Sequence, residues 1–484
     1  MSWWVLKRKI HTSWLIAFFC GAIFVGIFVA QYLRCQFFST IFCLVIATIF
    51  IVIALWRRYI YLIPLIIIGG LFIGLWRGSI LQNDLSQYKS LYGLTISIEG
   101  TVKDDADTGT ADQIVIRLDK IIINKKPMAG VLWVSTASAD IKRGDKLIIK
   151  GLLKEGFGNF AGVIYRANVE KIISPQPGDI ARVFRDWFAG GIKLALPEPE
   201  SSLGLGYLVG QRRALPADLA LALQMAGLTH IVVASGYNLT ILVRLARRLF
   251  VKASKYLSAL SAILMIVSFM AITGVSPSMA RAGLVSVLSL AAWYYGRKFH
   301  PIILLLFAMA VTVLINPSYA WNDLGWQLSF AAFAGVMIIA PLAQRFLFGD
   351  KKPGMIGQIL GETVSAQLAT APIIILAFGQ LSNVAIVSNL LILPLVPLAM
   401  LLTFVAGIGG LVLPTVATVI GLPATWLLRY MVNVAEYLAS LPWAVSKIDM
   451  KLWIVGIYYL VAIIVCIYMW RVTKFNLRDS NLVE

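Results

Sequence analysis

The chain is poor in charged residues, which make up 13% of its 484 residues against 59% hydrophobic ones. Soluble domains carry about 25% charged residues, so this shortage excludes a soluble globular protein. Many apolar runs reach the ~20 residues that a helix needs to cross the hydrocarbon core of a bilayer. We therefore predict a polytopic α-helical membrane protein with one polar segment inserted between its membrane blocks.

Histidine and cysteine are also scarce, with 3 and 4 residues. His11, His230 and His300 stand far apart in the sequence, and the cysteines lie in or beside apolar runs without a CxxC pair. Zinc sites need clustered ligands, and disulfide frameworks need paired cysteines. The sequence therefore predicts no metal centre and no other cofactor.

Acidic residues are outnumbered by basic ones, 23 to 42, which gives a net charge of +19. The excess lies in the apolar segments and their flanks, because residues 94–173 are nearly balanced. Basic clusters mark the cytoplasmic ends of membrane helices. They predict a cytoplasmic N-terminus, a cytoplasmic tail at 471–484 and an extracytoplasmic segment at 94–173. The clusters are Lys7/Arg8/Lys9, Arg57/Arg58, Arg244/Arg247/Arg248/Lys252/Lys255, Arg297/Lys298, Arg345/Lys351/Lys352 and Arg471/Lys474/Arg478.

The apolar runs divide into two membrane blocks. The first, residues 1–80, has three predicted spans at Ser13–Ala30, Phe37–Leu55 and Tyr59–Trp76. The first of these is too long for the apolar core of a signal peptide, so we expect it to be retained. The second block, residues 197–470, has predicted spans at Leu219–Val243, Leu257–Val275, Ala280–Tyr295, Ile302–Ile315, Trp326–Arg345, Val364–Phe378, Val384–Val412, Val416–Ala439 and Leu452–Trp470.

Some of these spans are interrupted. Gly274–Met279 (GVSPSM) and the pair Pro394 and Pro397 predict broken helices, which are tolerated at membrane depth when they are buried in protein or line a water-filled cavity. Before the second block, residues 179–196 predict an amphipathic helix that lies at the membrane surface.

Residues 94–173 have a different pattern, with short alternating runs such as TISIEGTV, GVLWVST and DKLIIKGLL separated by turn-forming sequences. Five or six short strands in about 80 residues are typical of a small closed barrel, most simply an OB-like one. Such a barrel either packs as a spacer or gate on the membrane part or contacts nucleic acid through its aromatic residues. Those residues are Trp133, Phe157, Phe160 and Tyr165.

The stretch Leu196–Phe250 is apolar yet carries polar side chains at or near membrane depth. Each such group costs a few kcal/mol in hydrocarbon, so it usually faces a bundle interior or a water-filled path. The alternative is that single residues cap or join helices. The polar residues are Arg212, Arg213, Asp218, His230, Ser235 and Asn238.

Four stretches of the second block, taken in chain order, carry a resemblance to a known family. They are LPEPESSLGLGYLVGQRRALP with AGLTHIVVASGYNL, then GVSPSMARAGL, then WNDLGWQLSFAAFAGV, and then SAQLATAPIIILAFGQLSNVAIVSNLLILPLVP. Together they resemble the ComEC family, the inner-membrane channels of bacterial DNA uptake, over roughly residues 195–445. The resemblance implies translocation of single-stranded DNA into the cytoplasm during natural transformation. It also implies partners, namely a DNA receptor, a helicase-like motor in the cytoplasm and a separate nuclease.

A hydrated route for a single DNA strand needs a polar lining with scattered cations that do not hold the strand too tightly. The competing interpretations are a flippase or transporter for another polar or anionic substrate, such as a lipid-linked glycan, and a membrane-anchored scaffold. The candidate residues of a DNA path are Arg212, Arg213, Asp218, His230, Ser235, Asn238, Arg281, Asp323, Gln327, Ser329, Gln367, Gln380, Asn383 and Asn389.

The chain departs from the family pattern in two places. Asn238 stands where the family usually has histidine, and asparagine cannot titrate near neutral pH. Many family members also carry a metallo-β-lactamase-like domain, but no HxHxDH-type run occurs here. The acidic clusters Asp104/Asp105/Asp107 and Glu198/Glu200 read as a turn and a solvated loop, so we expect no hydrolytic activity.

The topology can be tested by cysteine labelling in a cysteine-free background. A membrane-impermeant maleimide should label a cysteine placed at Asp107 and spare one placed at Ser480, because only the former is expected outside the cell. The opposite labelling pattern would contradict the predicted orientation.

Overall fold

The computed structural model describes residues 11–33, 38, 40–57, 59–108, 113–137, 140–175, 178–211, 215–232, 235–274, 276–296, 300–351 and 353–477. In chain order its helices are α1 (Thr12–Ala30), α2 (Ile41–Arg57), α3 (Ile63–Ser86), α4 (Ile180–Ala195), α5 (Glu200–Val209), α6 (Ala217–Met225), α7 (Thr229–Val232), α8 (Gly236–Phe250), α9 (Lys255–Thr273), α10 (Pro277–Tyr294), α11 (Pro301–Ile315), α12 (Ser318–Asn322), α13 (Leu324–Ala334), α14 (Ala340–Phe348), α15 (Met355–Phe378), α16 (Ala385–Ile392), α17 (Val396–Val412), α18 (Ala417–Ala439) and α19 (Leu452–Thr473).

Within those ranges, eight helical segments are long and apolar enough to cross a membrane, judged by length and composition. They confirm the predicted class, a polytopic helical membrane protein. The chain divides into two compact units, the first comprising residues 1–180 and 306–323 and the second the remainder. The eight segments are Thr12–Ala30, Ile60–Ser90, Lys255–Thr273, Leu324–Phe348, Met355–Phe378, Ala385–Val412, Pro414–Ala439 and Leu452–Thr473.

In the first unit, α1 and α3 pack with their backbones almost in contact. Glycines at every fourth position of α3 form the contact surface, because a β-carbon at Gly74 would lie 2.3 Å from the carbonyl oxygen of Ile23. Gly70 meets Phe19 on α1 in the same way. Small residues four apart allow this close approach in membranes, where van der Waals packing rather than the hydrophobic effect holds helices together.

The predicted barrel is present and closed. Its strands are β1 (Thr95–Val102), β2 (Gln113–Ile123), β3 (Leu132–Ala137), β4 (Lys146–Glu155) and β5 (Gly162–Ile173). β1 pairs with β2 and β4, β2 pairs with β3, and β4 pairs with β5, all antiparallel, while β3 pairs with β5 in parallel. This closed order of five strands matches the OB-like topology predicted from the sequence. Residues 113–123 form one strand, although the sequence suggested two runs.

The third helix is longer than the predicted span Tyr59–Trp76. It continues to Ser86 and then as a 3-10 turn over Gln87–Ser90, which buries Tyr88 completely in the barrel core. The apolar run ends near Trp76, but the helix continues because Tyr88 is buried among aliphatic residues. The third span and the barrel are therefore joined by a four-residue turn only, Leu91–Leu94.

A distant segment completes the first unit. The Arg77 guanidinium donates hydrogen bonds to the carbonyls of Leu314 and Ile315, which end α11, at 2.8 and 3.0 Å. The indole of Trp321 donates to the carbonyl of Ile27 at 2.8 Å. A cation at a helix C-terminus satisfies carbonyls that lack partners within the helix. These bonds attach α11 and α12 to the first membrane block.

The second unit is built around α5, whose ten residues are all buried. Its serines and glycines allow neighbouring helices to approach, and a β-carbon at Gly204 would lie 2.7 Å from Cγ2 of Thr403 on α17. Residues of α4, α6, α17 and α18 pack around it in one large apolar core. A short helix buried on every side is typical of a discontinuous helix inside a membrane bundle.

The predicted single span Leu219–Val243 is wrong. The chain there forms α6, α7 and α8, and none of the three is among the eight membrane-length helices. Gly227 turns the chain with φ +73°, and a β-carbon there would lie 2.5 Å from Cβ of Ala385. Ser235 then caps α8 by accepting a hydrogen bond from the amide of Asn238. Turn-forming residues thus override the continuous apolar pattern.

The other predicted breaks are present. α9 ends at Thr273, Gly274 has φ +88°, and α10 begins at Pro277. A 3-10 turn at Leu393–Leu395 separates α16 from α17. Between α13 and α14 the chain forms a π-helical turn, Gly335–Ile339, a deformation frequent at functional sites. Strands β6 (Gln380–Ser382) and β7 (Val445–Lys447) form a small antiparallel pair.

The amphipathic helix predicted at 179–196 is α4, and its exposed face is apolar. Val183, Phe184, Trp187 and Leu194 are exposed, whereas Phe188 packs into the core of the second unit. Such a face is typical of a helix that lies on lipid. Its position at the membrane surface stays a prediction.

Replacing Gly74 with leucine should separate α1 from α3, because a side chain there meets the Ile23 carbonyl. We expect a loss of roughly 1–3 kcal/mol in stability, measured as a lower midpoint of thermal unfolding in detergent. Gly456→Leu is the matched control, because no atom lies within 4 Å of its β-carbon position. Equal midpoints for the two variants would contradict the packing described here.

Candidate functional site

Arg281 on α10 is the centre of the most unusual polar group in the second unit. Its Nε donates a hydrogen bond to Oγ of Ser329 on α13 at 2.8 Å. The guanidinium carbon lies 4.9 Å from the ring centre of Phe333 and 5.9 Å from that of Phe330. Two of the four sequence motifs therefore meet at this side chain. Its neighbours are a hydroxyl and two rings, none of which carries a negative charge.

The start of α8 brings a third motif to the same place. Gly236 follows the cap residue Ser235, and a β-carbon at Gly236 would lie 3.0 Å from Nη2 of Arg281 and 2.8 Å from Cβ of Ala282. Glycine lets the backbone approach the guanidinium this closely. The N-terminus of a helix carries partial positive charge. The positive charge of the guanidinium and the partial positive charge of the helix N-terminus therefore reinforce each other.

Among the residues that the structure describes, no acidic side chain pairs with this charge. Among the described residues, Arg281 forms no salt bridge, and its polar and ring contacts are those to Ser329, Phe330 and Phe333. The sequence contains no Asp or Glu between Asp218 and Asp323. A guanidinium offers five N–H donors in a planar fork that matches phosphate and carboxylate. This group of residues can therefore attract an anion.

Asn238 belongs to the same motif but is 0% exposed. Its Nδ2 donates a hydrogen bond at 3.2 Å to the carbonyl of Tyr207, in the last turn of α5. That carbonyl would otherwise lack a partner, as carbonyls at helix C-termini do. A neutral histidine at this position also carries an N–H donor. The donor, rather than titration, is the property that asparagine shares with the histidine usual in similar proteins.

A second polar group surrounds the turn between α6 and α7. Ser382 Oγ donates to the carbonyl of Met225 at 2.7 Å, and Ser388 Oγ donates to that of Ala226 at 2.6 Å. Gln367 Nε2 in turn donates to the carbonyl of Ser382 at 3.3 Å. These bonds satisfy backbone carbonyls at a break in the helices. This group joins the first motif to the fourth.

Two amide oxygens near this group are unsatisfied. Among the described residues, Oε1 of Gln367 and Oδ1 of Asn389 are buried without a hydrogen-bond partner. Asn383 is engaged, since its Nδ2 donates to the carbonyl of Trp443 and to Ser446 Oγ, both at 2.7 Å. Gln380 pairs with Lys447 in the β6–β7 ladder. An unsatisfied buried oxygen can bind water or a substrate donor.

The remaining sequence candidates lie elsewhere. Asp218 is exposed in the first turn of α6, and His230 is exposed with Nδ1 3.1 Å from the Gly227 carbonyl oxygen. Gln327 is half-buried on α13. Asp323 belongs to the first unit and accepts a hydrogen bond from Asn159 Nδ2 at 2.7 Å. Arg212 and Arg213 lie outside the described residues.

The sequence interpretation of Glu200 is wrong. It was expected in a solvated loop, but it begins α5, is 2% exposed, and accepts a hydrogen bond from Arg429 Nε at 2.6 Å. Arg429 could have indicated this, because an arginine in the middle of the apolar run Val416–Ala439 commonly pairs with an acidic side chain. Arg429 therefore differs from Arg281, since its positive charge is compensated.

The other acidic cluster begins in a bend at Asp104, but Asp107 lies on a two-residue strand that pairs with Val115. Arg117 reaches Asp107 at 2.8 Å and Asp104 at 3.6 Å, so two of the carboxylates are already paired with a guanidinium. Within the part of the chain that the structure describes, no three His, Cys, Asp or Glu side chains are grouped so as to hold a metal ion.

The role of Asn238 can be tested directly. Asn238→Leu should lower the stability by about 1–3 kcal/mol, because the Tyr207 carbonyl is left buried without a donor. Asn238→His should recover part of the loss. Gln224→Leu, at an exposed position of α6, is the control. Thermal unfolding in detergent measures each effect, and an unchanged midpoint for Asn238→Leu would contradict this role.

Comparison with known proteins places the candidate site within a family match. The family described as competence protein matches residues 207–472. ComE operon protein 3 of Bacillus subtilis (strain 168) is 26% identical over 217 residues, which cover 44% of this chain and 27% of that protein. The chain thus matches about a quarter of that relative's length. Comparison with solved structures gives no match. Because the family match covers more than half of the chain, this protein belongs to the competence protein family.

Proposed function

We propose that this protein is a channel of the cytoplasmic membrane that carries single-stranded DNA into the cytoplasm during natural transformation. The observation that carries the proposal is the arrangement at Arg281, where three sequence motifs meet around a guanidinium that has no carboxylate partner in the described part of the chain. The family membership supports a role in DNA uptake.

A DNA strand carries one negative charge for each phosphate, so its route through a membrane must offer cations and polar groups. A cation that is already paired with a carboxylate, such as Arg429, has little attraction left for a phosphate. Arg281 contacts a hydroxyl and two rings instead, and its charge remains available. A single cation of this kind attracts the strand without holding it so firmly that movement stops.

The polar group at the turn between α6 and α7 also fits a polar route. Gln367 and Asn389 each have a buried amide oxygen without a partner, and they lie on helices that meet at the break between α6 and α7. Amide oxygens accept hydrogen bonds from the amino groups of bases. Broken helices line substrate paths in many transporters, because their free backbone groups contact the substrate.

The proposal includes the orientation and the partners expected from the sequence. Both termini lie in the cytoplasm and the barrel outside. A separate receptor delivers the DNA, a cytoplasmic helicase-like motor draws the strand inward, and a separate nuclease degrades the other strand.

We expect the protein itself to have no hydrolytic activity. Purified protein incubated with duplex DNA and Mg²⁺ or Mn²⁺ should therefore leave the DNA intact.

The central test is Arg281→Gln, expressed in a competent host that lacks its own channel. Labelled DNA should still bind to the cell surface, while the DNase-resistant, internalised fraction should fall at least tenfold, because the uncompensated charge is lost. Arg281→Lys should retain part of the uptake, since it keeps the charge without the planar fork.

Arg345→Gln is the matched control, because Arg345 bonds the exposed side chain of Asp350 outside this group. It should internalise DNA as the wild type does. Wild-type uptake by a correctly inserted Arg281→Gln protein would refute the channel proposal. Reduced surface binding by that variant would mean that Arg281 acts before translocation, which also contradicts the proposal.

A further inference from the structure

Positive charge is concentrated where α8 ends and α9 begins. The sequence contains no Asp or Glu between Asp218 and Asp323 to offset it. Of its basic residues, Arg244, Arg248, Lys252 and Lys255 are exposed and form no salt bridge with another described residue. Such a surface attracts anions. The basic cluster, as we call it, consists of Arg244, Arg247, Arg248, Lys252 and Lys255.

The turn that carries the cluster is held in place by serines. Ser254 caps α9 by accepting a hydrogen bond from the amide of Leu257. Ser258 Oγ donates to the carbonyl of Arg247 at 3.0 Å, and Ser261 Oγ donates to that of Ala246 at 3.3 Å. The serines of α9 thus satisfy carbonyls at the C-terminal end of α8, which lack partners within that helix. A turn that is ordered in advance loses less conformational entropy when a ligand binds to it.

Aromatic rings at the end of α10 hold two of the cations. The guanidinium carbon of Arg247 lies 4.7 Å from the ring centre of Trp293. Lys255 Nζ lies 5.5 Å from the same ring centre and 5.3 Å from that of Tyr294. Trp293 packs against the apolar core formed by α8, α9 and α10, which fixes the position of its ring. The two like charges beside one ring repel each other, and an anion bound to both would remove this repulsion.

An apolar surface begins directly beside the basic cluster. Tyr256, Leu260, Leu264 and Val267 recur three or four residues apart, so they lie on one face of α9. They are 66%, 48%, 64% and 60% exposed. α9 is long and apolar enough to cross a membrane, and Tyr295 at the end of α10 is also exposed. Aromatic residues and cations above an exposed apolar face mark the boundary between lipid headgroups and acyl chains.

One kind of ligand matches both parts of this surface. An anionic phospholipid has a phosphate for the cations and acyl chains for the apolar face of α9. A free phosphate or a nucleic acid strand would use only the cations. Basic pockets between membrane helices bind anionic headgroups in this manner. The adjoining apolar face therefore favours a lipid over a soluble polyanion.

We propose that the basic cluster, with the rings of Trp293 and Tyr294, binds the headgroup of an anionic phospholipid whose acyl chains lie along Tyr256, Leu260 and Leu264. In the predicted orientation this lipid belongs to the cytoplasmic leaflet. The inference goes beyond the proposed function, because it assigns a membrane component as a ligand and does not depend on what the protein transports.

The test uses the full-length protein in a neutral detergent, to which dioleoylphosphatidylglycerol or dioleoylphosphatidylcholine is added. Native mass spectrometry measures the fraction of protein with bound lipid at each lipid concentration. The anionic lipid should bind at least tenfold more tightly than the neutral one. Lys252→Gln and Lys255→Gln should each weaken its binding about fivefold, because each removes one cation from the headgroup. Lys255→Arg keeps the charge and should bind about as the wild type does.

Lys447→Gln is the matched control, because it removes an exposed lysine of β7, away from the basic cluster in the sequence. It should bind the anionic lipid with wild-type affinity. The midpoint of thermal unfolding, measured without anionic lipid, should be the same in all these proteins, which separates lost binding from lost folding. Addition of the anionic lipid should raise the midpoint of the wild type and not that of the double variant Lys252→Gln/Lys255→Gln.

Four outcomes would overturn the proposal. Equal affinity for the two lipids would remove the preference for a negative headgroup, and wild-type affinity in the double variant would place the lipid elsewhere. A rise in midpoint with millimolar inorganic phosphate equal to that with the lipid would assign the cluster to free phosphate. Displacement of the lipid by a thymidine oligonucleotide, with oligonucleotide binding lost in the double variant, would assign it to nucleic acid.

Discussion

Inside hydrocarbon no water is present to bind a free carbonyl or amide, and this constraint explains three polar side chains of the second unit. The chain breaks its helices after α5, after α6 and before α10, and each break leaves backbone groups without a partner in the helix. Asn238 serves the Tyr207 carbonyl, and Ser382 and Ser388 serve the carbonyls of Met225 and Ala226. Asn238, which the sequence suggested as path-lining, therefore has a structural role.

Arg281 and Arg429, both in this unit, show how the same residue type can have different roles in a membrane protein. Arg429, which is partly exposed, is paired with one oxygen of the buried carboxylate of Glu200, and the pair links α18 to α5. Arg281 contacts a serine and two rings. A charge in apolar surroundings without an acidic partner among the described residues costs stability, so it indicates a function that needs the charge. The contrast supports a role for Arg281 in transport and a role for Arg429 in assembly.

Much of the architecture could be predicted from the sequence. Long apolar runs favour membrane helices, and alternating apolar and polar residues favour strands. The barrel, the amphipathic helix α4 and the breaks near Gly274 and Pro394 follow from such patterns. The turn at Gly227 could not be predicted in this way. A single glycine makes the turn, and hydropathy averaged over a span does not detect it. The burial of Glu200 was missed because its partner, Arg429, is distant in sequence. Tertiary packing brings Gly236, Arg281 and Ser329 together. The order of the motifs in the sequence does not predict this proximity.

The contact between α1 and α3 has a mechanical consequence. Glycine lets the two backbones touch, so no flexible side chains lie between them to absorb a displacement. Because α3 continues without a loop into the turn that buries Tyr88, the barrel is mounted on a stiff helical stem rather than on a hinge. A pull on the barrel would therefore reach the membrane helices of the first unit as a tilt or rotation of the whole stem, instead of being lost in a linker.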